Sequence, residues 1–288
     1  MKISQFLNQC LIARTRQSRE YKKALERAVR RFIEANGDVL VTDINHEHIG
    51  RFLAHIGCEV SAFTIRGYLA MIKALFREAI EVGLLATMPR FPKIRVEKRL
   101  PDAWTKEEVE RLFQYVTALQ GTVGEIPARL WWSSLLLAAY YTGLRLSGLM
   151  SITWWQVDLR NRYLRALTNK NKLEQAFAIP DDLHALLVQI QDPPREKVWW
   201  HPYGEKWPCR ALRRIVDAAG IPAPKNMHGQ LFQKMRRTCI TWTAVADLSL
   251  ATRVAGHASP DTTIRHYVDP RMFGAIQPVV PQIQIPSG

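Results

Sequence analysis

Near the end of the chain, a glycine–histidine pair is followed, ten residues after the histidine, by a tyrosine: Ala255-Gly256-His257-Ala258-Ser259-Pro260-Asp261-Thr262-Thr263-Ile264-Arg265-His266-Tyr267. A lone histidine is usually a surface or packed residue. Any one of the eight tyrosines would ordinarily belong to the core or the surface. His257 and Tyr267 indicate a functional site only when they are considered together with the cationic segments that precede them.

Three upstream segments supply those cations: Tyr141-Thr142-Gly143-Leu144-Arg145, Thr168-Asn169-Lys170-Asn171-Lys172 and Gln233-Lys234-Met235-Arg236-Arg237-Thr238. Arginine suits a phosphate because its planar guanidinium makes two parallel hydrogen bonds to phosphate oxygens. A lysine can protonate a departing oxygen. Each residue also has an ordinary interpretation, since Arg145 could form a structural ion pair and the lysines could be surface charge.

Together, these residues can break a phosphodiester bond without a metal ion. Cations, a hydrogen-bond donor and a lone tyrosine are the parts that such a cleavage needs. A free phenol has a pKa of about 10, so nearby cations must favour the phenolate as it attacks. The sequence therefore predicts neither a metal site nor a cofactor.

The order and contexts of these residues resemble the tyrosine recombinase (phage integrase) family. Specific motifs support the resemblance over residues 105–270, and only loose similarity supports it over residues 10–90. The resemblance implies that the catalytic residues are Arg145, Lys172, Gln233, Arg236, His257 and Tyr267. Lys172 is preferred to its neighbour Lys170 because the family places its lysine at this spacing before a proline similar to Pro180.

The resemblance also implies the reaction. A site-specific recombinase would act as a homotetramer on two DNA duplexes, through a 3′-phosphotyrosyl intermediate and a Holliday junction. The phosphotyrosine conserves the bond energy, so ATP is not required. The tail from Phe273 to Gly288 would dock on a neighbouring protomer. Two alternatives stay open: a type IB topoisomerase with the same chemistry, and a DNA-binding clamp that has lost catalysis.

Two residues depart from the family pattern. Gly148 stands where an acidic residue is common, three positions after Arg145, and Gln233 stands where histidine is most frequent. The missing acid affects the rigidity of the site more than its chemistry. Glutamine can donate a hydrogen bond to phosphate but cannot exchange a proton, so we expect slower catalysis, with proton transfer shifted to Lys172 and His257.

The predicted fold is mainly α-helical with a small β-sheet. Residues 1–92 form a helical core-binding (SAM-like) domain, residues 93–103 form a linker, and residues 104–288 form a mixed α/β catalytic domain with a carboxyl-terminal tail. Apolar spacing predicts a helix from Arg14 to Ala35 and a second long helix that begins at Thr64 as N-cap.

In the second domain, a helix ends at Thr142-Gly143, and Leu144 to Ile152 resume a helical face. Residues 162–167 and 175–179 flank a polar turn and predict a β-hairpin. Residues 239–246 predict a buried helix. At 288 residues, a two-domain enzyme is expected rather than the larger lambda type with an additional amino-terminal arm-binding domain.

Charge indicates a polyanionic partner, with double-stranded DNA favoured over a membrane. The chain has 40 Lys and Arg against 26 Asp and Glu, a formal net charge of +14 and a pI near 9.9. Candidate phosphate contacts lie on the first long helix, on the second and in the hairpin turn: Arg16, Arg19, Lys23, Arg27, Arg30, Arg66, Lys73, Arg77 and Lys170. The alternative is a solvated helix face in which Glu20, Glu26 and Glu34 balance the charge.

The four cysteines form no C-x-x-C pair and no cluster with zinc-ligand spacing, which favours reduced thiols in the cytosol. The amino terminus lacks an apolar run typical of a signal peptide, and no run of about 18 apolar residues predicts a membrane span. We expect a cytoplasmic, nucleoid-associated protein of a virus or mobile element in a prokaryotic host.

Overall fold

The computed structural model describes residues 1–13, 15, 17–97, 100–168, 173–192, 195–223, 230–269 and 272. Arg16, Lys170, Lys172 and the tail from Phe273 onward lie outside the described residues. The chain divides into two compact units, Met1–Lys98 and Arg99–Gly288. In the described part of the chain, no helix combines the length and apolar character needed to cross a bilayer.

The first unit is a helical bundle made of α1 (Ile3–Ala13), α2 (Arg19–Asn36), α3 (His46–Gly57) and α4 (Ala62–Glu81), with a 3-10 turn at Val41–Asp43. Its core contains three phenylalanines in contact, with the ring centroids of Phe32 and Phe52 5.5 Å apart and those of Phe32 and Phe76 5.8 Å apart. Apolar residues at three- and four-residue steps in α2 and α4 form the buried faces.

Three details of this bundle differ from the sequence-based expectation. The helix α2 begins at Arg19, because the Ser18 side chain accepts a hydrogen bond from Tyr21 N and caps it. The N-cap of α4 is Ser61, which accepts from the backbone N–H of Thr64, so Thr64 was the wrong cap. The helix α1 was not predicted, although its buried residues Ile3, Phe6 and Cys10 lie three or four positions apart.

In the described part of the second unit, two small sheets lie among helices. Its elements are α5 (Lys106–Thr117), β1 (Thr122–Val123), β2 (Ile126–Pro127), α6 (Ala128–Thr142), α7 (Leu146–Leu149), β3 (Val157–Asp158), β4 (Tyr163–Thr168), β5 (Leu173–Ala178), α8 (Asp181–Ile190), α9 (Trp207–Ala218), α10 (Leu231–Ala246), α11 (Leu248–Ala255) and α12 (Pro260–Tyr267). A 3-10 turn spans Trp154–Gln156.

The helix α6 is the centre of this unit, packed against α5, α8 and α10. Most of its side chains are buried, including Trp131, Leu135 and Leu136, and this explains why it has no polar face. Beside this core, α10, α11 and α12 meet in a smaller apolar cluster that contains Ile240 and Tyr267. The functional side chains described below lie where α6 and this cluster approach each other.

The predicted hairpin is confirmed as β4 and β5, which pair antiparallel from Tyr163↔Ala178 to Thr168↔Leu173, with β3 added beside β4. Thr105 caps α5 and forms a capping box with Glu108. The predicted helical face after Arg145 is only the short α7, Leu146–Leu149. The helix that was predicted to be buried after Cys239 is part of α10 and is buried on one side only, because Trp242 and Val245 are 38% and 46% exposed.

Candidate active site

Arg145 is presented by the turn that ends α6. Gly143 adopts φ +59°, which reverses the chain after Thr142, and Arg145 follows in extended conformation before α7. A side chain at Gly143 would meet Cys239 Sγ at 3.1 Å, so the turn also lies against α10. Glycine satisfies both the left-handed backbone and the close approach. The half-buried Arg145 side chain is thereby held at the edge of the α6–α10 contact.

Arg236 lies on α10 and is only 2% exposed. Its guanidinium donates to the carbonyl oxygen of Gly143 and, at 2.7 Å, to that of Ala255. One carbonyl belongs to the turn before Arg145 and the other to the end of α11, just before His257. A single buried cation therefore joins the two turns that present Arg145 and His257.

Tyr267 is the last residue of α12 and is 8% exposed. An Arg145 guanidinium nitrogen donates to its hydroxyl at 3.4 Å, and the Arg236 guanidinium carbon lies 5.1 Å from its ring centroid. The structure thus brings the predicted nucleophile and both predicted arginines together, although they are separated by 31 and 122 positions in the chain.

The charges around Tyr267 act on its ionisation. Burial by itself raises the pKa of the phenol, but the positive charges of Arg236 and Arg145, with polar contacts from Arg236 and Gln233, outweigh it. The net effect lowers the pKa of Tyr267 below its usual value. A lowered pKa is the direction that a tyrosine nucleophile requires, because it increases the phenolate fraction at neutral pH.

His257 follows Gly256, whose φ of +64° ends α11. Its ring lies 4.7 Å from the Tyr267 ring, measured between centroids. Nδ1 lies 2.9 Å from Oγ1 of the fully buried Thr263, which fixes the orientation of the imidazole. Thr263 was not predicted from the sequence, although its position in the spacer between His257 and Tyr267 was a signal that could have revealed it.

The two departures from the family pattern have different surroundings. Gln233 lies on α10, one helical turn before Arg236, and its side chain contacts Tyr267. From this position it reaches the Tyr267 phenol. Gly148 is buried within α7, next to the Arg145 turn.

The predicted lysines lie outside the described residues, so their positions stay a prediction. The hairpin that bears them is nevertheless attached to the site, because Gln175 of β5 donates to the Arg253 carbonyl of α11 at 2.5 Å. That contact joins the hairpin to the helix that ends before His257.

The predicted DNA contacts of the first unit lie on exposed helix faces. Arg19, Lys23, Arg27 and Arg30 are exposed along α2, and Arg66 and Arg77 are exposed on α4. Two members of the α2 row are partly balanced, since Lys23 pairs with Glu20 at 3.2 Å and Arg30 with Glu34 at 3.8 Å. Lys73 is half-buried, with its ammonium 4.8 Å from the Phe91 ring centroid.

Within the described ranges, no cluster of three or more His, Cys, Asp or Glu side chains has the arrangement of a metal site.

Two family models match the chain. The model of the phage integrase family matches residues 103–272, which is more than half of the chain, and the model of the phage integrase SAM-like domain matches residues 3–96. Fold and site define a DNA strand-cleaving and rejoining enzyme of the tyrosine recombinase class. The chain belongs to the phage integrase family.

Individual relatives agree with this assignment. A tyrosine recombinase of Thermosipho africanus (strain TCF52B) is 23% identical over 277 residues, covering 91% of this chain and 94% of that protein. A lambda integrase(75–356) dimer bound to a COC′ core site has a TM-score of 0.75 at 18% identity and covers 99% of this chain and 100% of that one. A lambda integrase tetramer bound to a Holliday junction has a TM-score of 0.75 at 16% identity, with coverages of 98% and 80%.

These findings confirm the predicted fold class, a SAM-like helical domain followed by a mixed α/β catalytic domain. They also confirm the predicted recombinase function, and none of them supports the topoisomerase alternative.

The electrostatic environment of Tyr267 leads to a prediction about Arg145. A nearby positive charge favours the phenolate, so its removal in Arg145→Gln should raise the pKa of Tyr267. The pKa can be measured by NMR of the enzyme labelled with 13C at tyrosine Cζ, with the Tyr267 signal assigned by its loss in Tyr267→Phe. The control is Arg129→Gln, which removes an exposed cation from α6. An unchanged pKa in Arg145→Gln would contradict the assigned geometry.

Proposed function

We propose that Tyr267 is the nucleophile of this site-specific recombinase and that Arg145, Lys172, Gln233, Arg236 and His257 complete its catalytic site. The observation that supports this best is the position of the Tyr267 side chain. Its hydroxyl contacts Arg145, and its ring lies beside the buried Arg236 and the His257 ring. Because all three partners belong to the same chain as Tyr267, each protomer would cleave DNA with its own tyrosine.

The cleavage step transfers one phosphodiester bond. The Tyr267 hydroxyl gives its proton to His257 and its oxygen bonds to phosphorus. The bond to the 5′ oxygen breaks, and the products are a 3′-phosphotyrosyl linkage and a 5′ hydroxyl. Arg145 and Arg236 stabilise the pentavalent transition state, and loss of one such donor typically costs about 2.7–4 kcal/mol. Lys172 supplies the proton to the leaving oxygen. The 5′ hydroxyl of the partner duplex then reverses the step, so no external energy source is consumed.

His257 and Gln233 support the transfer from either side of Tyr267. Because Nδ1 of His257 is engaged by Thr263, Nε2 is the nitrogen that would contact a nonbridging oxygen or the phenol. Gln233 donates a hydrogen bond to the phosphate without exchanging a proton. With proton transfer left to Lys172 and His257, we expect a slower enzyme than one with histidine at position 233.

The amino-terminal domain, residues 1–92, would contribute phosphate contacts through Arg16, Arg19, Lys23, Arg27, Arg30, Arg66, Lys73 and Arg77. The exposed positions of those described on α2 and α4 support this role, apart from the half-buried Lys73. Residues 93–103 would form the linker to the catalytic domain, residues 104–288, in which Lys170 adds a DNA contact. The protein would act in the cytoplasm of a prokaryote, associated with the nucleoid, as part of a virus or mobile element.

Recombination would require a homotetramer on two duplexes, which is the state of the lambda integrase neighbour bound to a Holliday junction. An apolar patch on α10 and α11 supports such an assembly, because Trp242, Val245, Leu248 and Leu250 are all at least 37% exposed. The tail from Phe273 to Gly288, rich in Pro, Ile and Val, would occupy this patch on a neighbouring protomer.

The nucleophile can be tested by covalent trapping. Wild-type protein mixed with fragmented source DNA in EDTA and quenched with SDS should yield a protein–DNA adduct, whose sequence maps the cleavage site. Tyr267→Phe should give no adduct, because it removes the attacking oxygen. Tyr203→Phe is the matched control, since Tyr203 is 46% exposed and should leave the adduct yield unchanged. An adduct that persists in Tyr267→Phe would overturn the assignment.

The α2 cations predict a change in the salt dependence of DNA binding. Arg19→Gln and Arg27→Gln should each weaken binding to any duplex and reduce the slope of log K against log salt by about 0.9, as expected for one lost phosphate contact. Equilibrium titration over a range of salt concentrations measures both quantities.

A control for this measurement lies on the same helix. Arg31 is paired with Glu34 at 3.0 Å and with Glu59 at 2.5 Å, so its charge is already balanced. Arg31→Gln should leave the slope unchanged. Equal slopes in all the variants would show that the exposed row on α2 is a solvated face.

The assembly is tested by deletion of residues 275–288. The shortened protein should bind a single core site as a monomer but form no tetramer on two duplexes, as measured by light scattering or native gels. Val245→Asp, a charge placed in the exposed patch, should produce the same defect. Normal tetramers in both variants would refute the proposed docking of the tail.

A further inference from the structure

One buried hydroxyl contacts the backbone at Tyr267 and again two residues after it. Oγ1 of Thr241 donates to the carbonyl oxygen of Tyr267 at 3.0 Å and accepts from the backbone N–H of Asp269 at 3.1 Å. Thr241 and Asp269 are both fully buried. Neither residue is used by the mechanism above.

The Thr241 hydroxyl makes these hydrogen bonds at the point where the helix that carries Tyr267 ends. The helix α12 ends at Tyr267, and Val268 continues in extended conformation. The last carbonyls of a helix have no partner within it, so a side chain or solvent must satisfy them. Thr241, on the neighbouring helix α10, donates a hydrogen bond to the Tyr267 carbonyl. This bond attaches the end of α12 to the helix that also bears Arg236.

A second layer of contacts holds Asp269. Its Oδ2 accepts from the backbone N–H of Ala103 at 3.0 Å, and the next residue, Trp104, donates its N–H to Oγ1 of Thr238 at 2.9 Å. Thr238 and Thr241 are three positions apart on α10 and therefore lie on one face of that helix. The segment 103–104 and the segment 267–269 are thus attached side by side to the same face of α10.

Apolar packing around this point is limited. The cluster that contains Tyr267 consists of a few residues, mostly small: Ile240, Ala244, Ala251, Ala255 and Val268, with Val254 packed against it. Directional hydrogen bonds are needed where a small apolar contact leaves the orientation of a ring weakly determined. The hydroxyl of Thr241 provides two such bonds within two residues of the reacting phenol.

We propose that Thr241, braced by Asp269, is a positioning residue that holds the phenol of Tyr267 in line with Arg145 and Arg236. Thr241 touches no substrate and acts through the backbone of Tyr267. This inference rests on the proposed role of Tyr267 as the nucleophile. A displacement of about 1 Å at a reacting group can reduce the rate about 10²-fold, so the contact would set the cleavage rate and leave DNA affinity unchanged.

The test uses full-length Thr241→Val, which keeps the shape of the side chain and removes the hydroxyl. We expect single-turnover cleavage of a nicked substrate to fall about 10²-fold with DNA affinity unchanged. The pKa of Tyr267, measured by NMR of 13Cζ-labelled tyrosine, should rise because the phenol moves away from the arginines. Thr241→Ser restores the hydroxyl and should recover most of the rate and the lower pKa.

The matched control is Thr243→Val. Thr243 lies on the same helix, and its hydroxyl donates to the Cys239 carbonyl at 2.8 Å rather than to the Tyr267 segment. This variant should keep both the wild-type cleavage rate and the wild-type pKa of Tyr267. If Thr241→Val does not fold, the pair Asp269→Ala and Asp269→Asn replaces it. Only Asp269→Asn retains an oxygen that can accept from Ala103, so Asp269→Ala should cleave more slowly.

Three results would overturn the proposal: wild-type cleavage in Thr241→Val, equal losses in Thr241→Val and Thr243→Val, or no recovery in Thr241→Ser. A wild-type protein that forms no adduct would instead refute the proposed function. The pKa of Tyr267 would then still decide whether Thr241 positions the phenol, because that measurement does not depend on cleavage.

Discussion

The site depends on the buried guanidinium of Arg236. It donates to carbonyl oxygens at the end of α6 and the end of α11, so one side chain fixes the turns that present Arg145 and His257. A buried charge is costly unless it is hydrogen bonded, and these carbonyls provide that compensation. The same charge lowers the pKa of Tyr267 against the effect of burial. The same residue therefore supports the site structurally and favours ionisation of Tyr267.

Two left-handed glycines make this arrangement possible. Gly143 and Gly256 end α6 and α11 with φ values of +59° and +64°. Each turn lets the helix stop abruptly, so that the next residues enter the site instead of continuing along the helix axis. Gly143 also lets α10 approach closely, because a side chain there would lie 3.1 Å from Cys239 Sγ. The backbone conformation of these two glycines therefore determines where the side chains that follow them are placed.

The hydrogen bonds around Tyr267 show how the site accommodates Gly148 and Gln233, the two departures from the family pattern. Gln233 keeps a polar contact with Tyr267 from the first turn of α10, so the substitution retains hydrogen bonding while it removes proton exchange. Gly148 removes an acidic side chain from α7, but Arg236, Thr263 and Thr241 attach the surrounding segments through hydrogen bonds of their own. Rigidity can therefore come from buried donors on α10 and α12.

The sequence by itself determined the family, the fold class and the hairpin, because these depend on local motifs and apolar spacing. It did not reveal α1, the start of α2 at Arg19 or the exposed face of α10, since helix ends and exposed faces depend on packing between elements. It also missed Thr241, Thr263 and Asp269. Threonine and aspartate are ordinary residues in any sequence, and only the tertiary structure decides which backbone atom or side chain lies within reach of them. The contact of Arg145 with Tyr267 joins residues 122 positions apart, a proximity that chain folding alone creates.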